Sequence, residues 1–116
     1  MMCAVAESCT GGGLAAAMTE IPGSSKWFDR GFVTYSNQAK QQMLNVSHHV
    51  LSVNGAVSKE TAIAMADGVM KNSDAHVSVA ITGIAGPSGG CDQKPVGTVW
   101  IAWAGGMSPT HSQVFY

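Results

Sequence analysis

The sequence predicts an α/β fold, a three-layer α/β/α sandwich on a mixed five-stranded sheet, and three observations carry that expectation. Short apolar runs alternate with stretches of helical period through the first two thirds of the chain. The last third instead holds three β-rich runs joined by turn residues, so antiparallel pairing must enter there. The composition, 46% hydrophobic with only 11% charged residues, suits a largely buried sheet and not a disordered chain. At 116 residues, without internal repeat, charge block or long linker, residues 1–116 read as one domain.

Met1 to Ala6 reads as a short buried strand, and Leu14, Ala17, Met18 and Ile21 then fall on one face of a helix. Pro22 and Gly23 end that helix in a turn with Ser24 and Ser25. Trp27 to Tyr35 has the aromatic and β-branched content of a strand. Ser36 or Asn37 caps a short helix carrying Ala39, Lys40, Met43 and Leu44, and Val46 to Asn54 forms another that ends at Asn54-Gly55. Ser58 caps the best helix, with Glu60 complementing its dipole and Ala62, Met65, Ala66 and Val69 as its apolar stripe. His76 to Ile81 alternates as a strand and opens into a glycine-rich loop, Thr82 to Gly90, continued through Cys91 to Pro95. Gly97 to Ala104 and Thr110 to Tyr116 are the last strands, joined by a turn through Gly105 to Pro109.

Composition removes several classes of function. The formal net charge is −1 and the six Lys and Arg form no basic run, so a nucleic-acid partner lacks its electrostatic source. No apolar stretch has membrane length and no signal peptide is apparent, which predicts a cytoplasmic protein without a membrane partner. The cysteines Cys3, Cys9 and Cys91 are odd in number and lack C-x-x-C spacing, so reduced thiols are expected. The four histidines show no helical pair with a third ligand nearby, and no metal is indicated.

Two stretches invite chemistry. Glu7-Ser8-Cys9-Thr10-Gly11-Gly12-Gly13 sits where a strand passes into a helix, and N–H groups of a helix's first turn attract anions and developing oxyanions. Ser8 or Thr10 there is either a plain N-cap or a nucleophile or phosphate donor; Cys9 is either an activated thiolate or a buried spectator. Thr82 to Gly90 follows a strand at the position where α/β sheets place ligands, and its glycines allow backbone N–H groups to converge on an anion. A simple flexible connection is the other reading; the ending of a Walker loop is absent. Lys40 near the start of its helix is either solvated or an amine whose proton the dipole loosens.

Six ordered blocks then resemble one family: Glu7 to Gly12, Pro22 to Ser25, Tyr35 to Lys40, Gly55 to Ser58, Thr82 to Pro87 and Lys94 to Val99. They look like the signature blocks of the CinA C-terminal domain family, that of bacterial nicotinamide-nucleotide amidohydrolases. The resemblance implies an α/β/α fold like the anticodon-binding-domain class. It also implies metal-free, cofactor-free hydrolysis of the carboxamide of nicotinamide mononucleotide, a small-molecule nucleotide, to nicotinic acid mononucleotide and ammonia. Carried onto this chain, Ser8 is the nucleophile and Lys40 the base, with Ser24 and Ser25 as competing nucleophiles. Ser8 is favoured because its expected turn, Cys9 to Gly11, supplies oxyanion donors. Tyr35 is the candidate relay of a proton to the leaving ammonia. Thr82, Gly83, Gly86 and Gly89 form the expected phosphate loop, and Thr10, Gly11, Gly12 and Asn37 complete the expected substrate-binding set.

Against the family pattern, the chain begins almost at its first strand and stops after its last, so an N-terminal and a C-terminal helix are expected to be lacking. Apolar area left open in that way predicts a homo-oligomer, or a fragment with little activity. The rival expectation is a nucleotide-binding module without chemistry, or a subunit of a larger competence-related protein.

Overall fold

The computed structural model describes residues 1–87, 89–91, 94–106 and 108–116. Its elements run β1 (Cys3–Glu7), α1 (Gly13–Thr19), a single 3-10 turn (Ser24–Lys26), β2 (Phe28–Val33), α2 (Asn37–Leu44), α3 (His48–Asn54), α4 (Lys59–Lys71), β3 (Val77–Gly83), β4 (Val99–Gly105) and β5 (Ser108–Phe115). One sheet takes the order β2-β1-β3-β4-β5. β1 pairs in parallel with both β2 and β3, whereas β4 and β5 are antiparallel to their neighbours. The mixed five-stranded α/β fold expected from the sequence is therefore present.

Each helix on the packed face has a cap that the sequence supplies. The side-chain oxygens of Ser36, Ser47 and Ser58 accept from the N–H of Ala39, Val50 and Thr61 at 3.0, 3.1 and 3.1 Å. Asn45 at φ 59° ends α2, and Gly55 at φ 80° ends α3, conformations that favour residues such as Asn and Gly. α4 lays Ala62, Met65, Ala66 and Val69 on Ala4 and Ala6 of β1, Ala80 of β3 and Ala102 of β4, with Leu44 and Leu51 closing the cluster. Small strand residues let this helix sit close, and Ser78 meets its own polar need by donating to the Ala66 carbonyl at 2.9 Å. Met65 is fully buried here, and its truncation to Ala would cost about 2–5 kcal/mol.

The opposite face is covered only in part. α1 packs on β1 and β2, where a Cβ at Gly31 would stand 3.3 Å from both Ala15 and Val5. Over β4 and β5 on that side, Trp103 stacks on His111 with ring centroids 5.9 Å apart, and Trp103 remains exposed.

Strand boundaries differ from expectation by a residue or two in several places, β5 for one beginning at Ser108, and two of the differences bear on the site. β3 continues through Thr82 and Gly83, because both pair with β4, opposite Trp100 and Val99; the glycine-rich loop starts only at Ile84. β2 stops at Val33; the Thr34 N–H still donates to the Glu7 carbonyl at 2.8 Å, and the chain then bends through Tyr35 toward α2. Ser88, Asp92 and Gln93 of the expected loop and Met107 of the β4–β5 turn lie outside the described residues.

Candidate active site

The fold brings Ser8, Tyr35 and Lys40 together at the C-terminal ends of the parallel strands, where open α/β sheets hold ligands. Ser8 follows the last residue of β1, Thr34 and Tyr35 follow β2, and Lys40 is the fourth residue of α2. Ser36 fixes the start of α2 and so aims Lys40 back at the strand ends. The Lys40 Nζ donates to the Ser8 Oγ at 3.0 Å, to the Thr34 carbonyl at 3.0 Å and to the Tyr35 carbonyl at 3.2 Å. Lys40 is 1% exposed and Ser8 7% exposed, so both groups are largely out of water.

That burial pushes the Lys40 ammonium below the ordinary lysine value, with the adjacent Cys9 opposing the shift. Desolvation does this work; no acidic side chain forms an ion pair with Lys40 among the described residues. The Ser8 hydroxyl donates in turn to the Tyr35 carbonyl at 3.4 Å. It is desolvation that favours the neutral amine, which has a lone pair to offer the Ser8 hydroxyl. Burial pushes the neighbouring Cys9 thiol up, which keeps it protonated and a poor nucleophile beside Ser8.

The turn after Ser8 differs from expectation in a way that brings Glu7 forward. Neither Ser8 nor Thr10 caps α1; its N-cap is Gly12, at φ 106°, with no side-chain bond of its own. The Glu7 carboxylate reaches across instead and accepts from the N–H groups of Gly12, Leu14 and Ala15 at 3.2, 2.9 and 2.8 Å. The Thr10 hydroxyl donates to the same carboxylate at 2.5 Å. Burial pushes Glu7 up, yet the four hydrogen bonds outweigh it and hold the carboxyl below its usual range. A fully buried Glu in an apolar strand had to find partners, and that need was the signal for it in the sequence.

Other expected residues divide. Tyr35, Thr82, Gly83, Gly86 and Gly89 join Ser8 and Lys40 around a cavity of about 360 Å³, large enough for a small ligand. Thr10, Gly11, Gly12 and Asn37 do not line it. Thr10 and Gly12 are engaged by Glu7, the Gly11 N–H donates to the Ser8 carbonyl at 3.1 Å, and Asn37 is exposed on α2. Of the expected Cys9 to Gly11 oxyanion donors, the N–H groups of Cys9 and Thr10 have no oxygen partner among the described residues. Thr82 sends its hydroxyl to the Ala56 carbonyl at 2.8 Å. Ser24 and Ser25 lead into the start of β2, at the opposite end of the sheet from Ser8. Cys9, Ala56, Val57, Ile84 and Ala85 complete the wall. Among the described lining residues Lys40 is the one cation. The described residues hold no cluster suited to a metal ion, and no described helix is long and apolar enough to cross a membrane.

Comparison with known proteins bears on family and fold. The family model of the CinA C-terminal domain matches residues 1–116. The chain is 57% identical over 99 residues to nicotinamide-nucleotide amidohydrolase PncC of Escherichia coli K12, covering 85% of this chain and 60% of that protein. With PncC of Pseudomonas putida the identity is 54% over 101 residues, 87% of this chain and 63% of that one. The chain thus spans about three fifths of these curated relatives. It is also 51% identical over 114 residues to a CinA-like protein of Akkermansia muciniphila, covering 97% of this chain but 28% of that protein. Among solved structures, the competence/damage inducible protein CihA of Agrobacterium tumefaciens superposes with a TM-score of 0.95 at 50% identity, over 98% of this chain and 69% of that one. A CinA superfamily protein of Escherichia coli gives 0.93 at 43% identity, over 99% and 66%.

Proposed function

Because this chain belongs to the CinA C-terminal domain family, we propose that it carries the catalytic pair of an amidohydrolase acting on the carboxamide of nicotinamide mononucleotide. The observation that supports this reading is the contact of 3.0 Å between a buried lysine amine and a buried serine hydroxyl on the wall of a cavity. An amide is a weak electrophile, so the serine must lose its proton as it attacks, and a desolvated amine is a base for that step.

In the proposed reaction the Ser8 Oγ bonds to the carboxamide carbon as Lys40 takes the hydroxyl proton. The negative charge that develops on the carboxamide oxygen falls to backbone N–H groups, with Cys9 and Thr10 as candidates. Donors of this kind are worth about 2.7–4 kcal/mol each. The C–N bond breaks as the Lys40 ammonium returns a proton to nitrogen, releasing ammonia and leaving an ester on Ser8. Water, deprotonated by Lys40, then hydrolyses the ester and frees nicotinic acid mononucleotide. Tyr35 is the proposed relay to the leaving nitrogen, since this residue lines the same cavity. Neither metal nor cofactor is required by these steps.

Of the loop expected to hold the nucleotide phosphate, Thr82 to Gly90, the described cavity-lining residues Ile84, Ala85, Gly86 and Gly89 are the proposed phosphate wall. Self-association through the partly covered face near Trp103 is retained as a proposal. The other reading is a non-catalytic module of a larger protein; the small share of the Akkermansia relative that this chain spans supports the larger protein. Ammonia release from nicotinamide mononucleotide by the purified chain tests the enzymatic reading, and binding without release would favour the other.

A further inference from the structure

The segment 54–57, whose Ala56 and Val57 line the cavity, is held in an unusual way. The carbonyls of Asn54, Gly55 and Ala56 are each claimed by side chains, from the start of α4, from β3 and from Lys94. The Lys94 Nζ donates to the Asn54 carbonyl at 2.8 Å. The hydroxyls of Ser58 and Thr61 donate to the Gly55 carbonyl at 3.1 and 2.6 Å. Thr82 of β3 donates to the Ala56 carbonyl at 2.8 Å. Four side chains therefore fix three consecutive peptide groups. The N–H groups of Ala56 and Val57, meanwhile, have no partner among the described residues, and both residues line the cavity beside Ser8 and Lys40.

A loop so constrained has already lost the freedom that ligand binding would otherwise take from it, and donors fixed in place need no rearrangement to meet an acceptor. The strip matters more because Lys40, engaged with Ser8, is the one cation among the described lining residues. Oxygen acceptors of a ligand must then be met largely by neutral donors.

We infer that the Ala56 and Val57 N–H groups form a preorganised donor strip for an acceptor oxygen of the bound nucleotide, and that Thr82 and Lys94 are positioning residues acting through it. This rests on the proposed nucleotide substrate. The oxygen is either a phosphate oxygen or that of the carboxamide or ribose; all present the same acceptor chemistry to an N–H pair.

The test follows backbone amide resonances of the Ser8→Ala chain, which does not turn the ligand over, on titration with nicotinamide mononucleotide and with its riboside, which lacks phosphate. The strip predicts saturable shifts at Ala56 and Val57. Their loss with the riboside assigns the phosphate, and their retention assigns another oxygen. Thr82→Val should weaken nucleotide binding about tenfold and Thr82→Ser should restore it, while Lys94→Met should weaken it in the same direction. A general packing defect would not be rescued by serine, which lacks the methyl group that valine keeps. Nucleotide shifts at Ile84 and Cys9 with Ala56 and Val57 unmoved, or Thr82→Val binding as tightly as the parent, would overturn the strip while leaving the substrate reading intact. No shift at any cavity residue, together with no ammonia release by the unaltered chain, would overturn the substrate reading and the strip with it.

Discussion

Lys40 Nζ stands 3.0 Å from Ser8 Oγ, although the two residues lie on different elements and Lys40 is buried. β1 and α2 converge because Thr34 and Tyr35 leave β2 early and present their carbonyls to the same amine. The consequence is a lysine that burial shifts toward its neutral form at the place where a proton acceptor is needed.

The pH dependence of turnover follows from that shift. The active form has Lys40 deprotonated, so kcat/KM should rise with pH and level off at a midpoint below the ordinary lysine value of about 10.4. Lys40→Met should lower kcat about 10²–10⁴-fold, the usual worth of a positioned base. Initial-rate profiles of ammonia release check both, and a midpoint at or above the ordinary lysine value would contradict the direction of the shift.

Tyr35 separates into two parts. Its carbonyl accepts from Lys40, and any residue supplies a carbonyl; its phenol alone is the proposed relay. Tyr35→Phe should therefore keep Lys40 in place and reduce kcat more than KM. Unchanged turnover would leave the return of the proton to Lys40 alone.

Glu7 should contribute stability with a definite pH dependence. Its carboxyl is held below the usual value, so its contribution is fully present above the unfolded value of about 4.3 and is lost as pH falls through the lower folded value. Glu7→Gln should cost about 1.5–3 kcal/mol near neutrality, the worth of hydrogen bonds to a charged group. Urea unfolding at a series of pH values should also show a flatter acid limb for the variant.

Gly68 carries a packing constraint that reaches the site. A Cβ there would overlap the main chain of Leu44, the last residue of α2. Gly68→Ala should destabilise the fold by about 1–3 kcal/mol. It should also lower kcat by displacing the helix that carries Lys40, measured by urea unfolding beside initial rates.

Much of this was legible in the sequence for identifiable reasons. α4 announced itself through Ser58, Glu60 and the stripe ending at Val69, and α2 through Ser36, because caps and helical periodicity are local signals. The closeness of Ser8 and Lys40 is not local; it was reached only through the family resemblance, since strand order fixes it. The capping of α1 by Glu7 is not visible locally, since cap signals sit beside the helix. Glu7 caps from across a six-residue turn. The end of β3 was placed early because glycine suggests a loop, whereas pairing with β4 keeps Gly83 in the sheet. Ala56 and Val57 carry no chemistry in their side chains, so only the placement of their main chain draws attention to them.

The most direct test of the central claim is ammonia release from nicotinamide mononucleotide by the unaltered chain and by Ser8→Ala, with folding of both verified by circular dichroism. The account predicts steady release by the first and loss of at least about 10³-fold by the second. Release by Ser8→Ala at close to the rate of the unaltered chain would contradict it.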